Sequence, residues 1–135
     1  MVRKGSKTWQ RSTRPPPVSD GERQAIVTAC EAFIRDVLKP RFLPEIRPTE
    51  FNYPVDIQGK WHGTKYRFIQ RYRSGFPENR GEEFDAPFAR LDWISRDKFD
   101  IQWHRHMGES FRPHRSLALA QAIETLKSDG LLHPN

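Results

Sequence analysis

His104 and His106 are separated by one residue in the segment WHRH, at the end of an alternating stretch that begins at Phe88. On a β-strand, side chains two residues apart point to the same face. Imidazole titrates near neutral pH, so this pair can supply the base and the acid of a metal-independent RNA cleavage. Arg90 would add positive charge at the phosphate. These three residues are the candidate catalytic group of a small, toxin-type ribonuclease.

The same histidines permit a metal site as a second chemistry. A His-x-His pair on one strand face can chelate a metal ion, and His114 in the neighbouring segment would be a third ligand beside His104 and His106. The chain lacks Cys-x-x-Cys and His-Glu-x-x-His, two motifs that mark zinc sites. We therefore expect no metal and no other cofactor, and keep the three histidines as alternative ligands.

A group of basic residues indicates a third chemistry, the binding of anions. The segment KYRFIQRYR alternates, so most of its cations are expected on one strand face, with Arg90 beside them if the strands form a meander. Trp61, near a hairpin tip, either offers a stacking surface or folds back on the core. The predicted binding residues are Lys65, Arg67, Arg71, Arg73, Arg90 and Trp61. The alternative is an ordinary solvated sheet face.

Charge is concentrated at the start of the chain. The net charge is +6, and residues 1–17 hold five of the 23 basic side chains and no acid. The rest of the chain is therefore close to neutral, and overall charge alone does not indicate nucleic-acid binding. Ser, Thr and a Pro-Pro-Pro run predict a disordered basic arm over residues 1–17. A single α+β domain is expected over residues 18–135.

Composition is typical of a soluble domain. The chain has 135 residues and a mean hydropathy of −0.83, with nine Phe, four Trp and three Tyr to build a core. No apolar run approaches the roughly 20 residues that span a bilayer, and the start lacks the apolar region of a secretory signal. With Cys30 as the single cysteine, we expect a cytoplasmic protein that does not contact a membrane.

Two amphipathic patterns predict one helix before and one helix after about five antiparallel strands. Ser19 and Glu22 form a capping box before the first apolar stripe, which Pro40 is expected to end. Ser116 is expected to cap the second helix, and Gly130 to end it in the left-handed region. Both helices should pack on one sheet face and leave the other open to solvent, which gives a two-layer α+β fold.

Strand positions follow from the alternating segments. The first hairpin turn lies within residues 59–63, where two registers fit equally well, and the acid-rich stretch 74–87 is expected to be a solvated loop. The central hairpin is expected to turn at residues 96–98. Its predicted cross-strand pairs are Ser95 with Phe99, Arg90 with His104, and Asp92 with Gln102. Because a sheet has edges that attract other strands, a homodimer through an edge or the open face is a further expectation.

Residues 87–134 contain the PFARLDW strand, the WHRH strand end, and SLALAQAIETLKSDGLLHP, a helix closed by Asp-Gly. In these segments the chain resembles the C-terminal half of small, uncharacterised bacterial domain-of-unknown-function proteins. This resemblance implies a fold of helix, β-meander and helix in a bacterial, cytoplasmic setting, and it assigns no catalytic residue. From the residues themselves we expect a binding module rather than an enzyme, with nucleic acid or an acidic protein surface as the anionic partner.

Overall fold

The computed structural model describes residues 18–104 and 110–134, and for residues 104 and 110–113 it describes the backbone alone. The arm predicted at residues 1–17 lies outside the described residues. Five strands follow the first helical segment, in the chain order β1 (Asn52–His62), β2 (Lys65–Ser74), β3 (Glu83–Ser95), β4 (Lys98–His104) and β5 (Ser110–Leu117). They form one antiparallel sheet in the order β1-β2-β3-β4-β5. The predicted meander is confirmed.

Helical segments precede and follow this sheet. They are α1 (Asp20–Phe33), a π-helical turn (Ile34–Leu38), α2 (Lys39–Phe42) and α3 (Leu119–Ser128). The side chain of Ser19 accepts the Glu22 N–H at 3.1 Å, which is one half of the predicted capping box. The other half is wrong, because the Glu22 carboxylate accepts a backbone N–H from the central hairpin rather than from Ser19. Among the described helices, none is long and apolar enough to cross a membrane. The predicted α+β class, with one helix before the sheet and one after it in the chain, is confirmed.

The prediction that Pro40 ends the first helical segment is wrong. Pro40 lies inside α2, directly after the π-helical turn. In that turn the Lys39 N–H donates to the Ile34 carbonyl, five residues earlier. This wider turn accommodates a residue that lacks an N–H and whose ring would clash with a regular helix.

The core lies between the helices and one face of the sheet. Ile26, Cys30 and Phe33 of α1 pack there, and the Phe33 ring meets Phe68 of β2 edge-on at 6.2 Å. Burial raises the pKa of the Cys30 thiol to about 12, so this cysteine is a packing residue rather than a nucleophile. The apolar face predicted for the central hairpin is confirmed by Ala89, Leu91, Trp93, Phe99 and Ile101, which are buried, and by Trp103, which packs against the core.

The predicted register of the central hairpin is wrong by one residue at the turn and by two residues beyond the bulge. The turn contains two residues, because Ser95 lies opposite Lys98, and β3 has a bulge between Trp93 and Ser95. The observed cross-strand pairs are Arg90 with Gln102 and Asp92 with Asp100. A shift of two residues preserves the side-chain alternation, so each residue stays on its predicted face.

Asp97 provides the physical reason for this register. It adopts a φ of 52° in the turn. Its N–H donates to the Glu22 carboxylate at 3.0 Å, and its own carboxylate accepts the Leu119 N–H at 2.9 Å. The turn is therefore bonded to the first turn of α1 and to the start of α3, contacts between distant residues that a local reading of the hairpin does not reveal.

The predicted ends of the second helix are also wrong. Ser116 belongs to β5 with a φ of 57°, and its N–H donates to the Asp100 carboxylate at 3.0 Å. The N-cap of α3 is Ala118, and Asp97 supplies the acceptor that a capping side chain would provide. Gly130 starts a 3₁₀ turn over Gly130–Leu132 instead of taking the left-handed conformation.

The first hairpin, whose register the sequence left open, pairs His62 with Lys65, so its turn is Gly63-Thr64. The prediction that this turn lies within residues 59–63 is wrong by one residue, because β1 continues to His62. Gly63 begins the two-residue turn with a φ of 65°, a conformation that glycine adopts without a steric penalty. Further along β1, Gly59 lies opposite Phe68 on the core side, where a Cβ atom would overlap the ring and hydroxyl of Tyr66. Both glycines are thus needed for the position of this hairpin.

We expect Gly59→Ala to destabilise the protein by about 2 kcal/mol, because overpacking a filled core displaces neighbouring side chains. Gly21→Ala is the matched control, since nothing lies within 4 Å of the added methyl group. Urea unfolding followed by tryptophan fluorescence measures both variants. Equal stability of the two variants would contradict the close approach of Gly59 to Tyr66.

Candidate anion-binding site

Basic side chains gather on the sheet face that points away from the helices, at the end formed by the β1–β2 hairpin. Because Trp61 and Tyr66 point to the core, their strand neighbours point to the other face. We call this group the basic cluster, and its members are Lys60, His62, Lys65 and Arg67. Lys60 lies opposite Arg67, which in turn lies opposite Arg90 of β3. Cations thus occupy matching positions on three adjacent strands.

At the far end of the same face, the predicted binding cations are paired with acids. Arg71 contacts Asp85 at 2.9 Å and Glu83 at 3.7 Å, and Arg73 contacts Glu83 at 2.8 Å. The hydrogen bond with Asp85 raises the pKa of Arg71, and the one with Glu83 raises that of Arg73. The four cations predicted on β2 therefore divide into a paired half and the half that belongs to the basic cluster.

These acids were not expected beside the arginines of β2, because the sequence pattern predicted a loop for them. The stretch 74–87 was expected to be solvated, whereas β3 begins at Glu83 and brings Asp85 opposite Arg71. The loop was expected from the Gly, Pro and acid content of this stretch, and Pro87 lacks an N–H for a sheet ladder. A bulge in the β2–β3 pairing, between Phe68 and Ile69, lies beside Pro87. The alternation of acids with Phe84 and Ala86 was the signal for this strand.

Arg90 differs from the other cations because its partner is buried. Its Nε donates to Asp92 Oδ1 at 2.7 Å and its Nη2 donates to Asp92 Oδ2 at 3.2 Å. Gln102 Nε2 donates to the same Oδ2 at 2.8 Å. The side chains of Arg90 and Asp92 are 19% and 6% exposed, against 34% each for Arg71 and Asp85. The prediction of a uniformly open face is therefore wrong at its centre, where Asp92 and Gln102 are buried.

The bonds of Asp92 leave the basic cluster with unbalanced charge. Lys65 lies directly opposite Asp92 in the register, yet the carboxylate of Asp92 is bonded to Arg90 and Gln102. Within the described residues, no ion pair is formed by Lys60, Lys65 or Arg67. Like charges on directly opposite residues destabilise a sheet. An anion bound at this surface would relieve that repulsion.

Trp61 is not brought together with the predicted binding cations. It lies opposite Tyr66 in the β1–β2 pairing and packs against the hydrophobic core under the helices. Of the two positions that the sequence left open for Trp61, the structure has the one folded on the core. Trp61 therefore offers no stacking surface beside the basic cluster.

Of the three histidines in the catalytic and metal hypotheses, His114 is the one whose side chain the structure describes. His114 lies opposite Ile101, and its Nε2 contacts Asp129 Oδ2 at 2.9 Å at the end of α3. This hydrogen bond holds the pKa of Asp129 below its usual value. His104 ends β4, and His106 lies outside the described residues. Within the described residues, no three potential ligands form a metal site, and both hypotheses stay predictions.

The free edge of the sheet at β1 is partly covered by its own side chains. The Ile57 N–H donates to Asp56 Oδ1 at 2.9 Å, and Lys39 of α2 contacts the same oxygen at 3.1 Å. Burial raises the pKa of Asp56, but hydrogen bonds from Gln58, Lys39 and the Ile57 N–H outweigh it and hold the pKa below its usual value. A second strand at this edge would have to displace Asp56. The homodimer stays a prediction.

Comparison with known proteins identifies a family. A family model described as "Domain of unknown function (DUF3024)" matches residues 18–134. The match starts just before α1 and includes α3, so it contains the sheet and both flanking helical segments. The resemblance seen in residues 87–134 is confirmed and extends toward the start of the chain. No curated protein and no solved structure shows a significant match.

We expect Asp92→Ala to destabilise the protein by about 3 kcal/mol or more, because it leaves the Arg90 charge without its buried partner. Asp85→Ala breaks an ion pair that is more exposed on the same face and should have a much smaller effect. Urea unfolding of the two variants and the unaltered chain gives the comparison. Similar losses in both variants would contradict a structural difference between the two pairs.

Proposed function

The chain belongs to the DUF3024 family, and we propose that it binds nucleic acid through the phosphate backbone, with the basic cluster and Arg90 as the contact surface. The observation that carries this proposal is the row formed by Lys60, Arg67 and Arg90 on three adjacent strands. At the other end of the face, Arg71 and Arg73 have acids beside them. Among the described cations of β1 and β2 on this face, those without an ion pair therefore lie at the hairpin end.

A polyanion suits this chain better than a small anion. The five cations of residues 1–17 have no acid among them, so they have the same sign as the basic cluster. A nucleic acid carries phosphates at regular intervals and can contact several cations together, releasing counterions as it binds. The arm is proposed as an auxiliary contact, and the sheet as the surface with fixed geometry.

Backbone contacts also determine the expected selectivity. Lys60, Lys65 and Arg67 can reach phosphates, which carry no sequence information. Trp61 packs on the core and does not stack on a base at this surface. We therefore expect binding with little preference for base sequence, and a strong dependence on salt.

The double variant Lys65→Ala/Arg67→Ala should weaken binding to a mixed-sequence single-stranded oligonucleotide. The slope of log affinity against log salt should fall in magnitude by about 1.4, which corresponds to two lost phosphate contacts. Arg71→Ala/Arg73→Ala is the matched control, because it removes the same charge from positions that are already paired with acids. Fluorescence anisotropy over a salt series measures both. Equal losses would show that total charge, rather than the basic cluster, determines binding.

Two further measurements separate the sheet from its alternatives. Replacing Arg3, Lys4, Lys7, Arg11 and Arg14 by Gln in the full-length chain tests the arm, and binding that vanishes completely would assign the interaction to residues 1–17. Polyglutamate as a competitor tests for an acidic protein partner. If it displaced the oligonucleotide at an equal concentration of charges, the phosphate backbone would not be the preferred ligand.

A further inference from the structure

We infer that Arg90 is the residue that fixes the position of a phosphodiester group at the basic cluster, and that Asp92 and Gln102 act as positioning residues for its guanidinium. This inference rests on the proposed function and concerns its geometry. The other cations would supply charge, whereas Arg90 would determine where a phosphate sits. The ligand class is a phosphodiester with two unesterified oxygens.

The hydrogen bonds of Arg90 hold one edge of its guanidinium. Nε and Nη2 both donate to the Asp92 carboxylate, which also accepts a hydrogen bond from Gln102 on the adjacent strand. A guanidinium has five N–H donors, so three are left for a ligand. Within the described residues, Nη1 has no acceptor. The side chain is still 19% exposed, so the group is held in place without being closed off from the surface.

The position of Arg90 in the sheet places this group beside the surplus charge. Arg90 lies opposite Arg67, a member of the basic cluster, and Lys65 is two residues from Arg67 on the same strand face. A phosphate that met the free donors of Arg90 would therefore lie next to two further cations. No acid other than Asp92 is paired with Arg90 among the described residues.

A guanidinium held in this way can do what a lysine cannot. Its planar donors match two phosphate oxygens at once, and an ammonium acts only as a flexible point charge. Because Asp92 already orders the side chain, little conformational entropy is lost when a phosphate binds. Among the described residues, no carboxylate supports Lys60 or Lys65 in this way. This difference makes Arg90 the residue with a geometric role.

Arg90→Lys in the full-length chain tests the role of the paired guanidinium donors directly, because the substitution keeps the charge and removes those donors. We expect about tenfold weaker binding of a mixed-sequence single-stranded oligonucleotide at every salt concentration, with an unchanged salt slope. Arg71→Lys is the control, since Arg71 belongs to the neutralised end of the face. Its affinity should stay within about twofold of the unaltered chain. An unchanged affinity of Arg90→Lys would overturn the inference.

Asp92→Asn tests the positioning role through the sign of its effect. The substitution removes a negative charge, so a purely electrostatic surface would bind the oligonucleotide more tightly. Loss of the carboxylate that holds Arg90 should instead weaken binding severalfold. Asp85→Asn makes the same charge change at the exposed Arg71 pair and should bind at least as tightly as the unaltered chain. Thermal unfolding confirms that each variant is folded. Titration with the oligonucleotide at concentrations far above Kd measures the fraction of each sample that can bind, and the affinities are corrected for that fraction.

The outcomes distinguish this inference from the proposed function. Tighter or equal binding by Asp92→Asn would overturn the positioning role. Loss of binding in Lys65→Ala/Arg67→Ala, with unchanged binding in Arg90→Lys, would overturn the inference and leave the proposed function standing. An unaltered chain that bound no oligonucleotide at low salt would overturn the proposed function. If Asp92→Asn does not fold, Arg90→Lys still decides whether the paired guanidinium donors of Arg90 contribute to oligonucleotide binding.

Discussion

The buried carboxylate of Asp92 is the constraint on which the second face of the sheet depends. A buried charge requires an opposite charge and hydrogen bonds, and Arg90 and Gln102 supply both. This links β3 to β4 and orders one arginine at the centre of the face. The carboxylate bonded in this way is also the one that lies directly opposite Lys65. The surplus positive charge of the basic cluster follows from how Asp92 is satisfied.

The two ends of this face differ in the charges of their cross-strand neighbours. At one end Glu83 and Asp85 lie beside Arg73 and Arg71, so the cross-strand neighbours attract. At the hairpin end Lys60, Arg67 and Arg90 lie opposite one another and repel. The helices pack on the other face of the sheet, so these charges lie outside the hydrophobic core. The proposed binding role of the hairpin end would account for the contrast.

Much of the architecture could be predicted from local patterns. The N-cap at Ser19, the apolar stripe of the first helix and the alternation of the central hairpin predict elements whose stabilising contacts are close in sequence. The face of each strand residue was also correct, since alternation survives a shift of two residues. The hairpin register itself was wrong, because Asp97 is held by bonds to both helices.

The candidate site was harder to predict than the fold. Its cations were visible in the sequence, but their partners depend on strand pairing. The acids of the neutralised end were expected in a loop that ended at Pro87, so their pairing with β2 was not predicted. The register of the first hairpin was left open, so the positions of Lys60 and His62 on the sheet could not be assigned. Trp61 could be assigned to the core only once its strand was paired with β2. Which charges remain unpaired is a property of tertiary contacts.

Amide chemical shifts of the full-length chain, followed during titration with a single-stranded oligonucleotide, test the central claim most directly. The account predicts that the largest changes fall on residues 59–67, with further changes at Arg90 and Gln102. Changes concentrated on residues 71–73 and 83–85, or confined to residues 1–17, would contradict it.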